Sequence, residues 1–169
     1  MTQQKTTTDK SSALGIIELL KADHEKVKAL FYEFEETKEN GSSKKKEKIV
    51  KQICEELTLH ALAEESIVYP AAREVINDDD LVDEAEVEHA GAKELISQLQ
   101  SMNADDSHYD AKVTVLREYI EHHVKEEEKN MFPKLAKSKI NGSEMVEEVE
   151  HFKENHKGHE SKKSSKKNS

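Results

Sequence analysis

The chain is poor in almost everything that cross-links or punctuates a fold. Its 169 residues include one cysteine, two prolines, five glycines and no tryptophan, and only 5% are aromatic. With Cys54 alone, no disulfide can form within the chain, which suits a reducing compartment, and a cysteine-built structural zinc site is excluded. So little proline, glycine and aromatic content argues against a β-sandwich and suits an all-α protein. No stretch approaches the roughly 18–20 apolar residues of a membrane span. The first residues, beginning Met1-Thr2-Gln3-Gln4, lack the apolar centre of a signal peptide. A cytoplasmic protein with no membrane partner is therefore expected.

Basic charge is also scarce, except at one end. The net charge is −10; residues 157–169 hold five lysines against Glu160, a local +4, so the remainder stands at −14. A body that acidic is a poor match for phosphates, and no nucleic-acid partner is expected. The Ser/Lys/Asn makeup of the end reads as a disordered basic tail.

What the chain does have is a repeat. His60-Ala-Leu-Ala-Glu64-Glu65, followed by Tyr69-Pro70, returns 63 positions later as His123-Val-Lys-Glu-Glu127-Glu128, followed by Phe132-Pro133. Both copies read H-x3-E-E-x3-aromatic-P. An acid–histidine pair precedes each: Asp23-His24 before the first, Glu88-His89 before the second.

Four long helical segments carry these motifs, over about 13–39, 44–76, 78–102 and 107–138. The Asn40-Gly41 and Asn141-Gly142 pairs close the first and last. Pro70 is expected to kink the second, and a short fifth helix fits 144–155. Short connections favour an up-and-down antiparallel bundle. The domain reading is a disordered N-terminus over 1–12, the bundle over 13–140, the short helix within 141–156 and the tail over 157–169.

Apolar positions fix which side of each helix faces inward. Ile17, Leu20, Val27, Phe31 and Phe34 recur in steps of about three or four, with one position missing, and His24 fills it. The same test places His60 and Glu64 on the stripe of Ile49, Ile53, Leu57 and Ile67. It places His89 among Val82, Ala85, Ala92 and Ile96, and His123 and Glu127 after Val113, Leu116 and Ile120. His122 lies about 100° round the helix from His123 and is left as a flanking or outer residue.

One inward histidine is usually a satisfied core side chain. Four with two glutamates are a different case, because burying them uncompensated costs several kcal/mol per charge. A bound cation removes that cost. Mixed imidazole and carboxylate donors suit iron or manganese. Glu65 and Glu128 fit either an outer, orienting role or a solvated face; Tyr69 and Phe132 read as bundle-end hydrophobes and Cys54 as structural. His108, His151, His156 and His159 read as exposed.

The ordered set D-H, H-x3-E-E-x3-Y-P, E-H, H-x3-E-E-x3-F-P resembles the hemerythrin-like (HHE) cation-binding family over about residues 13–140. The resemblance implies a four-helix bundle holding two Fe ions as an oxo- or hydroxo-bridged di-iron centre. By motif its metal ligands are His24, His60, Glu64, His89, His123 and Glu127, with the two glutamates bridging. It implies a protein that binds O2 or a related small molecule, NO or peroxide, in sensing, scavenging or iron handling. The alternative is a di-iron peroxidase or catalase-like enzyme. One departure bears on this: oxygen-carrying members have a fifth histidine one turn after the third-helix ligand, where this chain has Lys93. Reversible oxygen transport is correspondingly disfavoured, unless His122 or a tail histidine substitutes. On this register, His123→Ala should abolish iron binding while His122→Ala leaves most of it. Metal analysis of the two purified variants decides, and the reverse order would mean the register is misread.

Overall fold

The computed structural model describes residues 12–166, with side chains as far as Lys157. Helix α1 spans Leu14–Asn40 and α2 spans Ser43–Ala63; a π-helical turn over Glu64–Val68 leads into α3, Tyr69–Ile76. The second half repeats the plan with α4 (Asp79–Gln100), α5 (Tyr109–Glu126), a π-helical turn over Glu127–Met131 and α6 (Phe132–Ala136). Helix α7 spans Gly142–Lys166. The α1–α2 and α4–α5 hairpins pack on each other through α2 against α4 and α1 against α5. This is the up-and-down four-helix bundle the periodicity predicts, with α7 laid across α1 and α2.

Local chemistry sets the boundaries. Ser42 Oγ accepts the Lys45 N–H at 3.2 Å and Asp78 Oδ1 accepts the Leu81 N–H at 3.3 Å, so each satisfies a free donor at a helix start. Asn77 ends α3 in the left-handed conformation, φ 60°. Gly41 ends α1 for a steric reason: a Cβ there would lie 2.2 Å from Thr37 Cγ2.

Three elements differ from the sequence reading. The second helix is not a single α-helix kinked by Pro70, and the fourth is not a single α-helix either. Tyr69 N–H donates to Glu64 O and Phe132 N–H to Glu127 O, each five residues back. The widened turn just before Pro70 and Pro133 absorbs a ring that would crowd the preceding turn of a regular α-helix. Asn141 does not close a helix but opens one, its Oδ1 accepting the Glu144 N–H at 3.1 Å. The fifth helix does not stop near 155; its backbone stays helical to Lys166, and lysines near a helix C-terminus suit its dipole. Of the two ends read as disordered, residues 1–11 and 167–169 lie outside the described residues.

Two apolar clusters fill the interior. One joins Leu20, Val68, Tyr69, Val82, Met131 and Phe132 to Met145 and Val149 of α7. The other joins Val27, Phe31, Phe34, Ile53, Ile96 and Leu116. Along every bundle helix the histidine of the motif falls between a member of the first and a member of the second. Phe34→Ala should cost about 3–5 kcal/mol in urea unfolding, because Phe34 is fully buried. Tyr32→Ala, two residues away and 69% exposed, should stay within about 0.5 kcal/mol.

Candidate metal centre

All six residues singled out by the sequence are buried, and the structure brings them together in the layer between the two apolar clusters. Their donor atoms form two overlapping groups: Glu64, His89, His123 and Glu127 in one, His24, His60 and Glu127 in the other. Within each repeat His and Glu sit at i and i+4, so one helix face presents a nitrogen beside an oxygen.

Each carboxylate reaches across the pseudo-twofold. Glu64 Oε1 lies 2.9 Å from His60 Nε2 of its own helix and 3.3 Å from His89 Nε2 of α4. Glu127 lies 3.3 Å from His123 Nε2 of its own helix and 3.4 Å from His24 Nε2 of α1. All four Nε2 atoms therefore face the carboxylates, and His89 Nε2 meets His123 Nε2 at 3.1 Å. Two imidazole lone pairs that close repel unless a proton or a cation lies with them.

The outward nitrogens also face carboxylates. His60 Nδ1 lies 2.8 Å from Asp23 Oδ2 and His123 Nδ1 lies 3.1 Å from Glu88 Oε1. Looser contacts set His24 Nδ1 3.8 Å from Glu128 and His89 Nδ1 3.9 Å from Glu65. The acid beside one motif histidine thus supports the histidine of the next helix. A carboxylate on Nδ1 fixes the proton there, leaves the Nε2 lone pair free and strengthens it as a donor. Asp23 and Glu88, named in the sequence only as motif letters, acquire this orienting role in the fold.

The electrostatics call for positive charge at the centre. Burial lowers His60, but the Glu64 charge and the Asp23 hydrogen bond outweigh it and push it up to about 10. Burial also lowers His123, yet hydrogen bonds to Glu127 and Glu88 push it up to about 10. Glu64 is held well below the carboxylate range despite burial, by His60 and His89. Several buried atoms, among them both Glu64 oxygens, Glu127 Oε1, His24 Nε2 and His60 Nε2, lack an aligned hydrogen-bond partner. Native proteins leave few such atoms. A set of converging N and O donors that needs positive charge and leaves lone pairs unused fits a metal ion.

Tyr69 is the residue the sequence reading misplaced. It is not a bundle-end hydrophobe: its hydroxyl donates to Glu127 Oε2 at 2.6 Å and lies 3.2 Å from His89 Nε2. At 100° per residue Tyr69 would stand about 140° from Glu64. The π turn brings the fifth residue back under the first and aims the phenol inward. Burial and the charges of Glu64 and Glu127 hold the phenol well above its ordinary range, so it keeps its proton. Phe132, its repeat partner, does pack as a hydrophobe, but against the central layer rather than at the bundle end, lying parallel to the His24 ring with centroids 5.9 Å apart.

No described residue supplies a fifth histidine to the cluster. His122 is 68% exposed and touches only the outer Glu88, at 3.5 Å. Lys93 donates to both oxygens of Glu65, at 2.6 and 2.8 Å. His151 bonds Asn155 and His156 stacks on Phe152; His159 lies among side chains not described. Cys54 is buried in the second apolar cluster, as expected.

Three cavities reach the site, one of them, of about 330 Å³, touching His24 and Glu128. An enclosed one of about 30 Å³ touches all four histidines and is walled by Val27, Leu57, Ile96 and Ile120, enough for a single water-sized or diatomic guest. An open cleft of about 560 Å³ reaches His123 and Glu127 from the α4–α5 side, past Asp80, Glu84, Glu88 and Glu126. Because the Tyr69 hydroxyl donates to an ionised carboxylate, Tyr69→Phe should destabilise the chelator-treated protein by about 1.5–3 kcal/mol. Urea unfolding reads this, and a change below about 0.5 kcal/mol would mean that the phenol is not held by Glu127.

Comparisons with known proteins agree with this geometry. Residues 15–135 match the hemerythrin HHE cation binding domain. A DNA nickase of Nostoc sp. is 29% identical over 119 residues, 70% of this chain but 33% of that protein. An uncharacterized hemerythrin-like protein of Schizosaccharomyces pombe is 31% identical over 88 residues, 51% of this chain and 43% of its own length. The chain thus spans less than half of either curated relative. The crystal structure of a hemerythrin HHE cation binding domain-containing protein, a homolog from Mycobacterium kansasii, superposes with a TM-score of 0.66. It covers 82% of this chain and 86% of that one, at 22% identity. The bundle, the buried His/Glu cluster and the matched domain together make this chain a member of the hemerythrin HHE cation-binding domain family.

Proposed function

We propose that His24, His60, Glu64, His89, His123 and Glu127 hold two iron ions, with both glutamates shared between them, and that the centre binds O2, NO or peroxide. The observation that carries this reading is the crossed pairing. Each glutamate touches one histidine of each pair, as a carboxylate shared by two metals must. Manganese suits the same donors, so metal identity is part of what the experiment decides.

When bound, iron supplies Lewis acidity and redox electrons. The chain's own residues do the rest. Asp23 and Glu88 hold protons on the outer nitrogens of His60 and His123, which keeps the inner nitrogens available. Val27, Leu57, Ile96 and Ile120 line the small cavity with apolar surface and leave room there for little more than a diatomic molecule. The Tyr69 hydroxyl keeps a proton beside Glu127. The acidic rim of the open cleft repels anions, which favours neutral ligands. Molecular oxygen, nitric oxide and hydrogen peroxide are all neutral at pH 7.

Sensing, scavenging and iron handling each suit such a centre, working in a reducing cytoplasm. Lys93, turned to Glu65 rather than to the centre, argues against a dedicated oxygen carrier. A peroxide-consuming enzyme is the second reading, and Tyr69 favours it, because a phenol that keeps its proton among the donors offers a hydrogen bond to peroxide. The partner named in the nickase relative, DNA, has no place in this reading: a body at −14 opposes phosphate binding.

Metal analysis of the purified chain should find close to two irons, and hydrogen peroxide should produce a charge-transfer absorption band. One zinc, or no metal, would sink the proposal. Catalytic oxygen evolution from peroxide would select the enzyme, whereas a stable O2 or NO adduct would select the binding protein.

A further inference from the structure

The four outer carboxylates are not equally placed. Glu88, on His123, meets the exposed His122. Asp23, on His60, meets a lysine from outside the bundle: Lys153 Nζ of α7 donates to Asp23 Oδ2, the same oxygen that faces His60 Nδ1. Both side chains are largely withdrawn from water, Lys153 at 16% and Asp23 at 17% exposure. At that depth an ion pair is screened far less than one on the surface.

Helix α7 is built to deliver this lysine. Gly142 lies so close to α1 that a Cβ would sit 2.1 Å from Ser12 O, which pins the start of α7 to the start of α1. Met145 and Val149 are buried in the first apolar cluster, with Val146 and Phe152 packed against it. Lys153 follows Val149 by four residues and so shares its inward face. A long cationic side chain at a core-facing position is unfavourable unless it has a partner, and the partner here is the carboxylate behind a metal-binding histidine.

Resting on the two-metal reading above, we propose that Lys153 is a positioning residue for the His24/His60 half of the centre. It clamps Asp23 so that His60 presents Nε2 inward, and it draws charge from Asp23 so that the two halves hold their metals unequally. In the His89/His123 half the imidazole on Glu88 is solvent-exposed, and the lysine there, Lys93, pairs with Glu65 from a 43% exposed position, behind a looser 3.9 Å contact to His89 Nδ1. Helix α7, none of whose described side chains is a metal donor, thereby reaches one metal position and not the other.

Stepwise release of two cobalt(II) ions from the full-length chain, followed in a chelator competition by their visible absorption, tests this. Lys153→Met should loosen one step by roughly tenfold, the low end of the effect of removing an outer-sphere partner, and leave the other within about twofold. Lys153→Arg should restore the first step, and His122→Ala should change neither. Lys153→Gln serves the same purpose if methionine disturbs the helix content. Two unchanged steps would overturn the inference, as would equal loosening of both that arginine does not restore, since that is the mark of a merely structural contact. A wild-type chain holding fewer than two ions would instead overturn the two-metal reading, and this inference with it.

Discussion

Glu64 and Glu127 lie in the middle of a helical bundle with apolar clusters above and below them, and among the described residues neither has a lysine or arginine to pair with. A carboxylate in that position is tolerable only if positive charge comes to it. Everything else in the layer answers that demand. Four imidazoles converge on the two carboxylates, four further acids stand behind the imidazoles, and a phenol donates into the centre. The polar layer occupies a single level of the bundle, where each stripe of apolar residues yields one position to histidine.

The repeat gives this layer a pseudo-twofold plan, and the departures from it are where chemistry enters. Tyr69 and Phe132 occupy the same place in the two copies. One brings a hydroxyl to Glu127 and the other a bare ring to His24. Asp23 and Glu88 are likewise equivalent, yet one is paired with Lys153 and the other with an exposed histidine. Under the two-metal proposal, matched donors in such a frame would hold chemically distinct metals, one position suited to binding a ligand and the other to supporting it.

The inward register was legible because helical periodicity is strict. A gap in the series from Ile17 to Phe34 admits only His24, and the same logic separates His123 from His122, which the fold leaves on the surface. Tyr69 was not legible, because projecting it on a regular α-helix sends it away from Glu64. The π turn that redirects it arises from the proline that follows and from packing below. The extent of α7 was hidden for a related reason: its docking depends on Gly142, Met145 and Val149 meeting a bundle already formed.

The sequence by itself determined the helices, their apolar faces and the six donors that share those faces, since all of these follow from periodicity along one chain. Only the tertiary structure decided which donor meets which. Glu64 with His89, Asp23 with His60, Tyr69 with Glu127 and Lys153 with Asp23 all join different helices or turns. Such pairings are set by how helices pack, by the width of a turn and by the docking of a fifth helix. None of those quantities is written in the spacing of residues along a single element.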